Sequence, residues 1–196
     1  MTLQLTKKYN FDLIFDSQKV FRLILEAMSN PGRVVSIHDY ARKLYGGYSA
    51  LLAIAMTLLD NEVSFNTSGD HLLLDVIASM TLSKRENIDT ADFIFVCNPY
   101  DIKKVIENAK CGTLADPHKS ATVIIQNDGG LVSQLTLLGP GIDGQAKVPI
   151  TQTVKDAIAL RDAQNYEYPQ GIDLLFISDE GELFAIPRLT WMEESK

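Results

Sequence analysis

Short, compact apolar runs alternate with helical segments along this chain. The clearest runs are DFIFV at Asp92–Val96, TVIIQ at Thr122–Gln126 and the stretch Ile172–Ile177. Apolar runs of this length, bounded by loops, are typical of strands that are buried on both faces of a sheet. Helices placed between such strands are typical of layered α/β folds. The sequence therefore predicts a three-layer α/β sandwich in which helices flank a mixed sheet.

The helices are predicted from apolar residues that recur every three to four positions. Phe15–Met28 has this pattern, and Asn30-Pro31-Gly32 ends it, because proline disfavours a helical residue before it and glycine permits a turn. Tyr48–Leu59 is apolar almost all round, which indicates a buried helix. Thr67 and Ser68 are candidate N-caps for the helix that follows them. The remaining predicted helices are Asp70–Met80, Asp101–Asn108 and Thr151–Ala163.

Two β-hairpins are predicted in the second half of the chain. Asn127-Asp128-Gly129-Gly130 is a strong turn signal between the predicted strands Thr122–Gln126 and Gln134–Leu138. A second turn, Ser178–Gly181, joins the last two predicted strands, Ile172–Ile177 and Leu183–Ile186. Shorter strands are predicted at Val34–Ile37 and Val63–Asn66.

Length and charge exclude some classes of function. The 196 residues, 46% of them apolar, suit one globular domain over residues 1–196. A net charge of −7 argues against a nucleic-acid partner, because an acidic surface repels phosphate backbones. The longest apolar-rich stretch, Ala50–Leu59, is too short to span a membrane, and the N-terminus has no signal-peptide pattern. We therefore expect no membrane partner and a cytoplasmic location.

Three motifs lack the context that their chemistry needs. Gly139–Gly144 matches the glycine-rich dinucleotide loop, but no apolar helical face follows it, so we interpret it as a turn. His71 and Asp75 have metal-ligand spacing, yet catalytic zinc usually takes three protein ligands. Lys84 follows a serine, as Schiff-base lysines often follow a polar residue, but it lies in a charged turn. We predict no catalytic residue, no metal and no cofactor.

Arg188, Asp173 and Arg33 are the candidate ligand-binding residues. Arg188 ends the last predicted strand, where a guanidinium can clamp a phosphate or carboxylate with two hydrogen bonds or form a structural ion pair. Arg33, just past Pro31-Gly32, has the same two interpretations. Asp173 lies inside an apolar strand, and a buried aspartate has to be hydrogen-bonded or paired. The sequence leaves a binding role and a structural role open for each.

Six blocks of sequence follow one another in a specific order. They are FRLILEAMSNPGRVV (Phe21–Val35), TLLDNE (Thr57–Glu62), GTLADPHKSATVII (Gly112–Ile125), LLGPGI (Leu137–Ile142), PQGIDLLFI (Pro169–Ile177) and AIPR (Ala185–Arg188). In this order they resemble the H subunit of the bacterial carbon–phosphorus lyase system and span most of the chain. AMS-x-PG together with P-x-GID…AIPR is the most specific part of the pattern.

The resemblance implies an accessory, non-catalytic subunit that works with the G, I and J subunits and forms homodimers on its own. That complex displaces adenine from MgATP with an alkylphosphonate, giving α-D-ribose 1-alkylphosphonate 5-triphosphate. The resemblance also implies a fold like the large domain of type I pyridoxal-phosphate transferases, without the cofactor. His118 and Leu189 depart from the family's pattern, which usually has Glu and Thr there.

A second class of function stays open. The chain could be a stand-alone, transferase-type enzyme that binds a small molecule in a pocket near Asp173 and Arg188.

Overall fold

A seven-stranded mixed sheet forms the centre of the computed structural model, which describes residues 9–44, 46–127, 130–131 and 133–193. The strands of the described residues are numbered in chain order: β1 (Val35–Ser36), β2 (Ser64–Asn66), β3 (Lys84–Arg85), β4 (Phe93–Val96), β5 (Thr122–Gln126), β6 (Ser133–Leu138), β7 (Ala146–Ile150), β8 (Asp173–Ile177), β9 (Glu182–Ile186) and β10 (Trp191–Met192). The central sheet has the order β1-β9-β8-β5-β4-β2-β3. Five neighbouring strands, from β8 to β3, are parallel, and β9 is antiparallel to both β8 and β1.

Helices cover both faces of this sheet. They are α1 (Phe15–Ser29), α2 (His38–Ala41), α3 (Ser49–Leu58), α4 (His71–Thr81), α5 (Ile102–Asn108) and α6 (Gln152–Asp162), with short 3₁₀ turns at Pro99–Asp101 and Pro117–Lys119. The first four helices pack on one face. The last two pack on the other, together with a small antiparallel sheet of order β10-β6-β7. The predicted sandwich with a mixed sheet and helices on both sides is confirmed.

The strand β5 shows how the sheet separates two hydrophobic cores. Ile124 packs into the core beneath α1, α3 and α4, whereas Val123 and Ile125 face the core beneath α5 and α6. All three side chains are fully buried. Since successive residues of a strand point to opposite faces, a run that is apolar throughout is suited to a strand covered on both sides. Each such side chain contributes about 1.5–3 kcal/mol of burial free energy.

The predicted hairpin at residues 127–130 is wrong. β5 lies between β4 and β8 in the central sheet, and β6 pairs with β7 and β10 instead. A strand with two buried faces belongs in the middle of the sheet, so β4 and β8 occupy both edges of β5. β6 therefore cannot pair with β5 and belongs to the smaller sheet. Turn-favouring residues permit the chain to change direction, but they do not decide which strands pair. Asp128 and Gly129 lie outside the described residues.

The second predicted hairpin is confirmed. β8 and β9 pair in register, with Leu174 opposite Ile186, and the amide of Gly181 donates to the carbonyl of Ser178 within the turn. Sequence reasoning missed the short elements β3, β7, β10 and α2. β3, β10 and α2 have too few residues to show a pattern of apolar positions. β7 is longer, but Lys147 and Pro149 interrupt its apolar residues.

The predicted N-caps of α4 are corrected. The helix begins at His71, and its cap is Asp70, whose carboxylate accepts from the amide of Leu73 at 2.9 Å. Thr67 donates its hydroxyl to the carbonyl of Asp70, and Ser68 donates to the carbonyl of Phe95. These two hydroxyls thus hold the loop before the helix, while the side chain directly before the first turn caps it.

Asp92 connects three segments just before β4. Its carboxylate accepts from the amide and hydroxyl of Ser64, at 2.8 and 2.7 Å, and from the ammonium of Lys110. Burial raises the pKa of Asp92, but hydrogen bonds from Lys110 and Ser64 outweigh burial and hold that pKa below its ordinary value of 3.8. The charged carboxylate is therefore favoured by folding.

We predict that Asp92→Asn lowers the free energy of unfolding at neutral pH by about 1–2 kcal/mol, with solvent screening of this half-buried group keeping the loss at the low end. A depressed folded-state pKa gives stability that is present above the unfolded pKa and lost as the pH falls through the folded value. Urea unfolding at neutral pH and at about pH 3 measures this, and the difference between the two proteins should narrow at the lower pH. A difference that grows on acidification would contradict the assignment.

Candidate functional site

Asp173 and Arg188 form an ion pair at the amino end of β8. One carboxylate oxygen of Asp173 accepts from the backbone amide of Arg188 at 2.8 Å and from its Nε at 3.2 Å, and the other oxygen accepts from Nη2. The side chains are only 10% and 19% exposed. A bidentate contact between a guanidinium and a carboxylate is among the stronger and more directional hydrogen-bonded pairs. Two of the three candidate residues are thus brought together.

The register of the β8–β9 hairpin creates this pair. Leu174 lies opposite Ile186, so Asp173, the first residue of β8, and the residues that follow β9 meet at the same end of the hairpin. Gly171 lies close by with a φ of +139°, and a Cβ there would approach Cβ of Arg188 to 3.0 Å. The GID and AIPR segments therefore depend on each other for their close approach.

Arg188 also reaches a third segment of the chain. Its Nη1 donates to the carbonyl of Pro117, in the 3₁₀ turn that contains the exposed His118. Three of the five N–H groups of the guanidinium are therefore in use, and its charge is balanced by Asp173. The pair holds the Pro117 turn against the edge of the sheet.

A glycine-rich loop packs on the same region. Gly139 and Gly141 belong to the connection between β6 and β7, so the glycine motif is a turn between antiparallel strands, as predicted. A Cβ on Gly139 would lie 2.5 Å from the carbonyl oxygen of Leu189, and one on Gly141 would lie 2.5 Å from that of Ser29. Only glycine permits these two contacts. The loop therefore joins the end of α1 to the segment that carries Arg188.

Arg161 fixes that segment from the opposite side. It lies in the last turn of α6 with 2% of its surface exposed. Its guanidinium donates to the carbonyls of Ile186, Pro187 and Thr190 and, through two nitrogens, to the carboxylate of Asp162. Sequence reasoning missed Arg161. Its position seven residues after Val154, on the buried face of the predicted helix, was the signal that could have found it.

A cavity of about 600 Å³ opens beside these arginines. Its lining includes aromatic rings, amides and charged groups, from Pro140, Arg161, Asp162, Asn165, Tyr166, Tyr168, Gln170, Arg188, Leu189 and Trp191. Burial, with a smaller contribution from Cys111, raises the pKa of Tyr166 to about 12, so its phenol stays protonated at neutral pH. Leu189, one of the two departures from the family pattern, gives the cavity an apolar wall.

A smaller cleft of about 320 Å³ lies next to it and shares Arg188 and Leu189. Asp173 and Thr190 also line this cleft. The hydroxyl of Thr190 is buried and has no hydrogen-bond partner among the described residues. The predicted pocket near Asp173 and Arg188 thus corresponds to two adjoining spaces, the larger of which contacts only Arg188.

Arg33 is not part of this arrangement. It forms an exposed ion pair with Glu26 at 2.9 Å and lines a separate cleft of about 310 Å³. Asp75 likewise pairs with Arg85, and Lys84 is exposed on the edge strand β3. In the described part of the chain, no three His, Cys, Asp or Glu side chains are grouped so that they could hold a metal ion.

No helix in the described residues is long and apolar enough to cross a membrane.

The arrangement around Arg188 is suited to binding and to structural support. Both oxygens of Asp173 and all five N–H groups of Arg161 form hydrogen bonds within the protein.

Comparison with known proteins gives two matches. The model of the family described as bacterial phosphonate metabolism protein (PhnH) matches residues 10–193. A protein of Stutzerimonas stutzeri, named as a candidate C–P lyase subunit protein, HtxG, is 28% identical over 175 residues, which cover 88% of this chain and 84% of that relative.

We predict that Arg188→Ala destabilises the protein by about 3 kcal/mol, because it leaves the carboxylate of Asp173 buried without its partner. Arg33→Ala is the matched control: its pair is exposed, so we expect a loss below about 1 kcal/mol. Chemical denaturation followed by circular dichroism measures both. Equal losses would show that the Asp173–Arg188 pair is not a structural contact.

Proposed function

This chain belongs to the bacterial phosphonate metabolism protein (PhnH) family, and on that basis we propose that it is an accessory, non-catalytic subunit of the carbon–phosphorus lyase system. The family match over residues 10–193 is the observation that carries the proposal. The name of the S. stutzeri relative, a candidate C–P lyase subunit, supports the same role.

In this role the chain supports a reaction carried out by its complex. The complex takes MgATP and an alkylphosphonate and releases adenine, giving α-D-ribose 1-alkylphosphonate 5-triphosphate. The partners are the G, I and J subunits, and the chain forms a homodimer in their absence. The expected location is the cytoplasm. The mixed sheet between helix layers is compatible with kinship to the large domain of type I pyridoxal-phosphate transferases.

The outer face of α1 supports a role within an assembly. Phe21 and Leu25, which are 49% and 54% exposed, lie on one side of the helix with Ile14, the residue before it, which is 75% exposed. Positions separated by four, seven and eleven residues share a helix face. The neighbouring side chains Leu13 and Phe15 are also more than half exposed. Contiguous exposed apolar surface of this kind marks contacts with other proteins.

The stand-alone enzyme stays as a second candidate. The cavity of about 600 Å³ lined by Arg188 supports it, because clefts and cavities of roughly 300–1,000 Å³ are typical of small-molecule sites. The test is to incubate the chain with MgATP and methylphosphonate and to measure free adenine by chromatography. The subunit proposal predicts release with the G, I and J subunits present and none with this chain by itself. Turnover by the isolated chain would establish the second candidate.

We predict that Phe21→Ser combined with Leu25→Ser reduces co-purification with tagged G, I and J subunits by at least about tenfold, because truncating central apolar side chains removes much of the binding energy of an interface. Leu72→Ser combined with Tyr100→Ser is the matched control, since both side chains are exposed on other elements. Light scattering of the isolated variant shows whether the same face forms the homodimer. Unchanged co-purification would remove α1 as the contact surface.

A further inference from the structure

The cavity beside Arg161 and Arg188 combines aromatic rings with polar atoms that have no hydrogen-bond partner in the part of the chain that the structure describes. We propose that it binds a planar, uncharged aromatic heterocycle, with a purine base as the representative ligand. The inference rests on the lining of the cavity alone and does not depend on the role of the chain in a complex.

The aromatic side chains of the cavity are unusually exposed. Tyr168 is 76% exposed and Trp191 51% exposed, although both line a concave space. Large apolar rings are normally kept from water, so rings left open beside a cavity provide faces on which a ligand can stack. Tyr166 adds a third, half-buried ring.

The charged groups argue against an anion as the recognised group. All five N–H groups of Arg161 are directed to protein oxygens, so none is left for a ligand. The charge of Arg188 is balanced by Asp173. The carboxylate of Asp162 pairs with Arg161, so the two ion pairs at the cavity leave no net positive charge to attract a phosphate or phosphonate.

The polar atoms that are left over suit a neutral heterocycle. Among the described residues, no hydrogen bond reaches the side-chain oxygens of Asn165 and Gln170, the second carboxylate oxygen of Asp162, or the indole N–H of Trp191. Two N–H groups of the Arg188 guanidinium likewise have no partner within the described ranges of the chain. These donors and acceptors can pair with the amino groups and ring nitrogens of a purine. The volume, about 600 Å³, is large enough for a nucleoside.

Trp191 provides a direct test, because it is the only tryptophan of the chain. The full-length protein is titrated with adenosine while tryptophan emission is recorded, with ribose and methylphosphonate as separate titrants. We expect saturable quenching by adenosine at roughly millimolar concentration or below, and no saturable change with ribose or methylphosphonate. Saturation-transfer NMR on adenosine gives a second measurement that does not depend on Trp191.

Tyr168→Ala should weaken adenosine binding about tenfold, the effect of losing one stacked ring. Tyr100→Ala is the matched control, since Tyr100 is 93% exposed and does not line the cavity. The proposal is wrong if adenosine gives no saturable signal by either method, if methylphosphonate competes with it, or if Tyr168→Ala leaves its affinity unchanged. Loss of partner capture in Tyr168→Ala without any adenosine binding would show a protein-docking surface instead.

Discussion

The pairing of Asp173 with Arg188 holds together segments that are far apart in the chain. It closes the β8–β9 hairpin at its open end, and it ties the Pro117 turn to the edge of the sheet. Because both side chains are largely buried, removal of either one would leave the other as an uncompensated charge. On the opposite side, the guanidinium of Arg161 donates to the carbonyls of Ile186 and Thr190. Two arginines therefore fix the course of the chain between these residues.

The blocks that carried the resemblance to a known family meet at this place. Ser29 comes from the AMSNPG block, Gly139 and Gly141 from LLGPGI, Pro117 from GTLADPHK, and Arg188 from AIPR. Their glycines are needed because backbone carbonyls approach to within 2.5 Å of where a Cβ would lie. Packing therefore explains why these segments carry these residues. The motifs that identify the family include residues with a structural role.

The proposed surfaces for a partner and for a ligand lie on different layers of the sandwich. The exposed face of α1 belongs to the layer of α1, α3 and α4, whereas the aromatic cavity is built from the end of α6 and from β10. The cavity also lies at the amino end of the parallel strands, opposite the carboxyl edge where ligands usually bind in open α/β sheets. The fold class alone would thus have pointed to the opposite edge from the proposed ligand site.

The sequence by itself determined the five longer helices, the buried strands of the central sheet and the sandwich, because apolar periodicity is a local property that each segment carries alone. It also singled out Asp173, as an aspartate inside an apolar run, and Arg188, as an arginine at the end of the last strand. Only the tertiary structure decided that these two residues pair, that β5 and β6 belong to different sheets, and that Tyr168 and Trp191 line the same cavity. Those outcomes depend on strand order and register between distant segments, which no local pattern specifies.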